Sequence, residues 1–469
     1  MPIQNFPAAL QPIIQQGYLE QAFEEALHSA IGYRAIAARE QIAINIGETL
    51  TKTRRGLKAP VTTPLSASSN TNLDNGLTSS SFAIEQYTIS INQYADTIDL
   101  NMITNKVGIV SQFLQNAKVN ALQAAQSLDR LARNALFAAY FGGNTRVSVT
   151  LGSAGTAVQV DDVRGLYSAP SNGVMAAVSP SNPLAVTIGA TVYSCTGVVA
   201  DGVAAAAILV AGMSLPPFLT FSGTSTNTST APGGFSGTLT LSANVTVVNA
   251  TLGNTVQAAN ASIVVRPNQR TNTSLLTTSD TLTMGAILDA VALLRLNNVP
   301  GVNGGAGAMA DGLYNLYLDP KSARQLFADP DFKQLFQGAT STSQVFQKGM
   351  TNDFLGVRFM PTTEAYIQTL AGVGVVRRPI LVGGEALIEG DYAGIADEDV
   401  APANSEISIV DAIAMVTREP LDRLAQIIAQ SWYWIGGFCA PSDITTNNTI
   451  VPTATNAAFK RAVMIEHVG

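Results

Sequence analysis

The chain has 469 residues, 46% of them hydrophobic and only 13% charged, with a formal charge of −7. That length allows a sizeable core and more than one domain, and the negative balance excludes a nucleic-acid binder that works by charge. The two cysteines, Cys195 and Cys439, form no disulfide framework, lack CxxC spacing and fit a reducing compartment.

The charged share is about half the roughly 25% of an ordinary domain; Gly, Ala, Ser, Thr and Asn fill the difference. A surface so poor in charge rests against other protein or belongs to a Thr/Ser-rich β module. The N-terminal stretch has no basic n-region and no apolar h-region, so no secretory signal is expected. The most apolar run, Val203 to Met213, is too short to span a bilayer. A soluble protein made in a cytoplasm is the expectation.

Residues 8–47 read as helical, in two pieces around Gly32. Lys52 to Ala83 is rich in Ser, Thr, Asn, Pro and Gly with few apolar anchors; so long a stretch inside a compact domain is a functional loop or docks on something else. Ile84 to Leu100 alternates and predicts an extended β arm. Thr104 to Tyr140 predicts one long helix. Val110, Leu114, Ala117, Ala121, Ala124, Leu128, Leu131 and Ala135 form its apolar stripe, while Gln112, Gln115, Gln123, Gln126, Asp129 and Arg133 are expected to stay wet. Gly142 and Gly143 end it. At 1.5 Å per residue it would reach roughly 55 Å. It is either a long core helix of an α+β protein or, with so many alanines, a surface a partner can approach closely.

From Val147 to about Leu276 short Val/Thr-rich alternating runs are cut by Gly, Pro, Asn and Ser, which predicts an inserted β-sandwich or small barrel. Thr281 to Asn297 is helical, with Asp280 as the expected N-cap. A glycine-rich hairpin follows, then a strand, LYNLYL. Asp319-Pro320 opens one further helix, PKSARQLFADPDFKQLF. DFLGVRFMPTTEA, RRPILVGGEALIEGDYAGI and SEISIVDAIAMVTRE supply strands, and the apolar segment ending near Pro441 is a buried strand. The remaining tail is polar, then briefly mixed.

Signatures of catalysis are sparse. The only histidines are His28 and His467, too few for a His metal cluster, and a His-dependent triad is not expected. Gly301 to Gly307 lacks the Lys-Ser/Thr of a phosphate loop and reads as a flexible hairpin. The acidic run Asp391, Asp397, Glu398, Asp399 matches no calcium loop and reads as solvated. The basic run Lys52, Arg54, Arg55, Lys58 is either a solvated charge run or a docking contact with an acidic patch on a neighbouring subunit. These eight residues are the candidate inter-subunit contacts; no catalytic, cofactor-binding or metal-binding residue is assigned, and no cofactor is expected.

The order of elements is specific: helical arm, long Ser/Thr-rich hairpin, one very long helix, α+β domain, returning hydrophobic strand. It resembles the major capsid protein of tailed bacteriophages, the Hong Kong 97-type α+β fold. ADTIDLNMIT, LTMGAILDAVALLRLNN, DGLYNLYLDPKSARQLFADPDF and DFLGVRFMPTTEA are similar to coat proteins of the N-four-like podovirus group. The resemblance implies an N-terminal helical arm (1–50), an extended loop (51–96) and a peripheral domain with its spine helix (97–146). An inserted β-rich domain (147–276), an axial domain (277–410), returning peripheral strands (411–445) and a C-terminal tail (446–469) complete the map. It further implies homo-oligomeric pentamers and hexamers that build an icosahedral virion head in the host cytoplasm. Partners would be a separate scaffolding protein, a portal protein and possible decoration protein, with double-stranded DNA enclosed without sequence-specific binding and no membrane. Some members cross-link their loops through lysine; residues 60–81 hold none, so no covalent mesh is expected. An uncleaved chain is expected. The alternatives are an encapsulin-type compartment shell, or, in another class, a β-rich adhesin or tail-fibre protein.

Overall fold

The computed structural model describes residues 32–42, 49–55, 84–101, 112–163, 166, 168–171, 174–200, 236–259, 261, 264–270, 273–296, 299–302, 312–337, 353–354, 356–370, 373–392, 405–418, 426–440 and 461–469. In chain order it begins with β1 (Ala37–Ile42), β2 (Thr49–Arg55), β3 (Ile84–Ser90), β4 (Asn92–Asn101) and helix α1 (Gln112–Tyr140). Next come β5 (Asn144–Arg146), β6 (Gly155–Val160), β7 (Ser168–Ser171), β8 (Val174–Ala177), β9 (Leu184–Ile188), β10 (Thr191–Ala200), β11 (Gly237–Val245), β12 (Thr255–Ala258) and β13 (Val264–Val265). Then follow α2 (Met284–Leu296), β14 (Tyr314–Leu318), α3 (Pro320–Ala328), α4 (Pro330–Gln337), β15 (Asp353–Phe354), β16 (Val357–Pro361), β17 (Tyr366–Leu370), β18 (Gly374–Arg378) and β19 (Ile380–Val382). The last are β20 (Leu387–Tyr392), β21 (Ser405–Val410), β22 (Ile413–Arg418), β23 (Ile427–Cys439), β24 (Ala462–Ile465) and β25 (His467–Val468). Few helices and many strands in separate sheets make the chain α+β. It divides into two compact units.

The first unit holds residues 1–50, 89–135 and 387–439. Its sheet is organised by β23, thirteen residues long. Gly436 pairs with Asn92 of β4 and also with Asp391 of β20, so those two strands lie on opposite flanks of β23. β22 and β21 extend the sheet, and β1 runs parallel to β20. Where the strands crowd, glycine is required: a Cβ on Gly437 would collide with the Ser90 carbonyl, and one on Gly390 with Ile42 and Ile89. Along α1, Ala117, Ala121, Ala124, Leu128 and Leu131 are buried, as their spacing predicts. These small residues let the helix approach the sheet. There the Trp432 indole donates to Gln123 Oε1 (3.3 Å) and Asn120 Nδ2 donates to the Gln430 carbonyl (3.1 Å).

The β21–β22 connection is a two-residue hairpin turn, Asp411-Ala412, with φ of 52° and 64°. Both residues occupy the left-handed region that matches the twist of a tight hairpin. Alanine pays for its Cβ there, so Ala412→Gly is expected to stabilise the first unit by about 1 kcal/mol. An unfolding midpoint in urea followed by tryptophan fluorescence would register the gain, since both tryptophans of the chain, Trp432 and Trp434, lie on β23.

The second unit holds residues 51–88, 136–386 and 440–469. Six antiparallel strands follow the order β5-β12-β9-β10-β11-β6. The ends meet: Val147 bridges Val160, and Asp161 N–H donates to the Arg146 carbonyl (3.2 Å). The sheet thereby closes into a small barrel, which removes its free edges. Alternating Val, Leu and Ile side chains such as Val158, Val186, Leu239 and Val256 fill it. A second sheet follows the order β13-β24-β19-β14-β16-β15, with α2, Leu326 of α3 and Phe332 of α4 packed into its core. A three-stranded sheet, β17-β18-β25, lies in the same unit. β2 and β3 form a two-stranded ladder.

Several expectations are corrected. Ala37–Ile42 is a strand, not part of a helix, because β20 offers it a parallel partner along its whole length; residues 1–31 lie outside the described residues. Asp129 is buried rather than wet. Asp280 does not cap α2. Thr283 does, its hydroxyl accepting from Ala286 N–H (3.4 Å), while Asp329 accepts from Met284 N–H (2.6 Å). The single helix expected after Asp319 is two, broken at Asp329-Pro330 because proline cannot continue the hydrogen-bond ladder. Asp319 caps the first of them, accepting from Lys321 N–H (3.2 Å), with Pro320 in the first turn. β20 and β21, both inside the expected axial span 277–410, pair in the first unit's sheet. Of the expected tail (446–469), residues 446–460 lie outside the described residues, and in 461–469 β24 is an interior strand and β25 pairs with β18.

Candidate functional site

Arg34 stands at the start of the described chain, and three distant segments converge on it. Its backbone N–H donates to Asp129 Oδ1 (3.0 Å), which also accepts from Gly32 N–H (2.9 Å). Its guanidinium donates through Nε to both oxygens of Glu389 (2.9 and 3.1 Å), through Nη1 to Asp411 Oδ2 (2.9 Å) and through Nη2 to the Asp411 carbonyl (3.0 Å). Arg39 pairs with Asp411 from the exposed side. The knot thus fastens the residues before β1 to α1, β20 and the β21–β22 turn. Charge-assisted bonds of this kind are the strong ones, and the planar fork satisfies several acceptors at once.

Asp391, one of the sequence-predicted contact residues, belongs to this knot. Burial and the neighbouring Glu389 carboxylate push its carboxyl up to about 6, against the opposing pull of Arg39 and Arg34. Its Oδ1 is buried without a hydrogen-bond partner among the described residues. Of the others, Lys52 is half-buried on β2 and the backbones of Arg54 and Arg55 lie on the same strand. Lys58, Asp397, Glu398 and Asp399 lie outside the described residues. Arg34, Asp129, Glu389 and Asp411 were not legible as a group, since each stands alone in its own stretch of sequence.

A second polar cluster occupies the second unit. Ser322 Oγ lies 2.8 Å from His467 Nε2 and also contacts Asp319, which pairs with Arg377. The composition resembles a hydrolase triad, but the order does not. The Asp319 carboxylate contacts the serine, accepting from Ser322 Oγ–H, while the other imidazole nitrogen, His467 Nδ1, faces the Val468 carbonyl (3.3 Å). In a hydrolase triad the carboxylate instead orients the imidazole, and the serine hydroxyl is left to the imidazole alone. Ser322 and His467 are both fully buried. The cluster is a structural fastening for the end of the chain. Beside it, Glu466 is fully buried between Arg266 (2.7 Å) and Arg378 (2.9 Å) and accepts from Thr273 Oγ1 (2.8 Å). Among the described residues no group of three or more His, Cys, Asp or Glu side chains is arranged to hold a metal ion.

These groups give the two units opposite responses to acid. Burial lowers the His467 imidazole to about 4, so it stays neutral when folded while an unfolded chain takes up a proton below about 6.5. Burial alone would raise the Glu466 carboxyl, but Arg266, Arg378 and its hydrogen bonds hold it at about 2. Both contributions are complete near neutrality and are lost as pH falls, His467 between about 6.5 and 4, Glu466 below about 4.5. Asp391 has the opposite sign: its folded carboxyl holds a proton that the unfolded chain releases above about 3.9, so its contribution grows as pH falls through 6. Between pH 7 and 5, amide exchange corrected for intrinsic rate is expected to speed up in β24 and slow down in β1. Parallel changes in both strands would contradict this assignment.

No family model and no curated protein matches the chain. Among solved structures it is similar to the capsid of Ralstonia phage GP4, at 9% identity over 94% of this chain and 90% of that chain, with a TM-score of 0.49. It is also similar to the Cyanophage Pam1 capsid asymmetric unit, at 11% identity over 95% and 92%, with a TM-score of 0.44. The acidic stable capsid structure of Helicobacter pylori bacteriophage KHP30 is similar at 8% identity over 94% and 91%, with a TM-score of 0.43.

Proposed function

We propose that this chain is the major capsid protein of a tailed double-stranded DNA bacteriophage, assembling as pentamers and hexamers into an icosahedral head. The observation that carries the reading is the β2–β3 ladder. Among the described residues it has two strands and no third, and residues 56–83 between them are mostly polar. A two-stranded ribbon is marginal in water by itself, so a neighbouring subunit supplies what it lacks. The charge-poor composition has the same cause: surface covered in the assembly has little use for charge. Weak contacts repeated over many copies add up to a durable shell. A net charge of −7 keeps the wall from adhering to packaged DNA, which it encloses without reading. Assembly in the host cytoplasm uses a separate scaffolding protein and a portal, and the barrel stands as a decoration or brace between neighbours. The protein works by tiling, not by turnover.

Hydrogen exchange tests the ladder's role. Amides of Thr49–Arg55 and Ile84–Ser90 are expected to exchange fast in dispersed protein and slowly in assembled protein. Equal protection in both states would remove the argument. Nucleic acid inside shells isolated from infected cells separates a phage head from a cargo compartment.

A further inference from the structure

Helix α2 is apolar on two sides. Met284, Ile287, Ala290, Val291 and Leu294 face the core beside β24. Leu288, Ala292 and Leu296, spaced by four, run along the opposite side, where Leu288 is 42% and Leu296 73% exposed. A helix that is hydrophobic all round is normally covered all round. Helix α3 in the same unit is different. It buries Ser322 and Leu326 and presents Lys321, Arg324 and Phe327, the last 43% exposed. Charges on the two faces run in complementary order: Asp289 then Arg295 along α2, Lys321 and Arg324 then Asp331 along α3 and the start of α4. None of these five has an ion-pair partner among the described residues.

We infer that the exposed face of α2 docks against the α3–α4 face of a second copy of this chain, Leu288 and Leu296 packing around Phe327 while Asp289 meets Lys321 and Arg324. The two patches differ, so the contact is head-to-tail. Such contacts close into rings when the rotation between successive copies closes, whereas a self-complementary patch would stop at a dimer. The inference rests on the shell reading above and assigns one surface of the ring contact within it. Apolar side chains supply the affinity and the charges fix the register.

Charge reversal and rescue test it in the full chain. D289K alone and K321E/R324E together each place like charges face to face, and each is expected to cut the yield of closed shells on the order of tenfold. The triple variant restores opposite charges and recovers most of the yield. All five residues are exposed, so thermal melting of the dispersed variants should match the parent, which separates failed docking from failed folding. Wild-type shells alongside D289K and K321E/R324E variants that assemble equally well, or a triple variant that recovers nothing, would overturn the contact and leave the shell reading standing. A wild-type protein that stays monomeric would overturn both.

Discussion

Truncation after Lys460 is expected to abolish folding of the second unit. The missing nine residues include β24, which lies between β13 on one side and β19 on the other. Ala462, Val463, Met464 and Ile465 are all buried, on both faces of the strand, so the continuous apolar run marks an interior strand. Losing the three larger side chains alone removes about 6 kcal/mol of apolar burial. Glu466 is lost with them. Arg266 and Arg378 then remain buried without their counterion, and breaking a buried pair from one side costs about 3–5 kcal/mol. Arg378 keeps its stacking over Phe141 (4.5 Å) and Tyr366 (4.8 Å), which cannot replace a carboxylate. Together these exceed much of the 5–15 kcal/mol that holds a typical domain. Soluble yield and circular-dichroism melting of the truncated chain report the result. A melting temperature within a few degrees of the parent would show that the strand is dispensable.

Arg34→Met is expected to destabilise the first unit by about 3–5 kcal/mol. Glu389 is fully buried and receives three of the guanidinium's hydrogen bonds. Methionine fills similar volume but leaves that carboxylate without its closest partner, and Arg39 stands 3.9 Å away on the exposed side. Arg34→Lys should recover little, because an ammonium cannot present a planar fork to Glu389 and Asp411 together. The double variant Arg34→Met with Glu389→Met should recover much of the loss, since the cost lies in an unpaired buried charge more than in a missing attraction. Urea unfolding followed by tryptophan fluorescence resolves this, because Trp432 and Trp434 report on the first unit alone. An Arg34→Met midpoint equal to the parent's would show that the knot carries no weight.

What the sequence made readable was local. The alanine-rich stripe of α1, the Asp319-Pro320 helix start and the long apolar run of β23 each carry their own periodicity or cap, and each appears where its pattern lies. What stayed hidden depends on partners far along the chain. Asp129 sits off the apolar stripe and reads as wet, yet the turn at Gly32–Arg34, almost a hundred residues earlier, buries it. Ala37–Ile42 has no strong strand pattern and becomes a strand because β20 lies beside it. Ala462–Ile465 carries a local signal of its own. Four apolar residues in a row are the ordinary signature of a strand buried on both faces, and the polar residues before them masked it. Glu389 and Glu466 show the same limit from the side of charge: a lone acid inside an apolar run says nothing of the arginines that neutralise it.

Negative-stain electron microscopy of the purified full-length protein tests the central claim most directly. Closed shells of uniform diameter are the predicted result, because the proposed reading covers the β2–β3 ladder and the exposed face of α2 with other copies. A field of dispersed single molecules, stable and unaggregated at the same concentration, would contradict it.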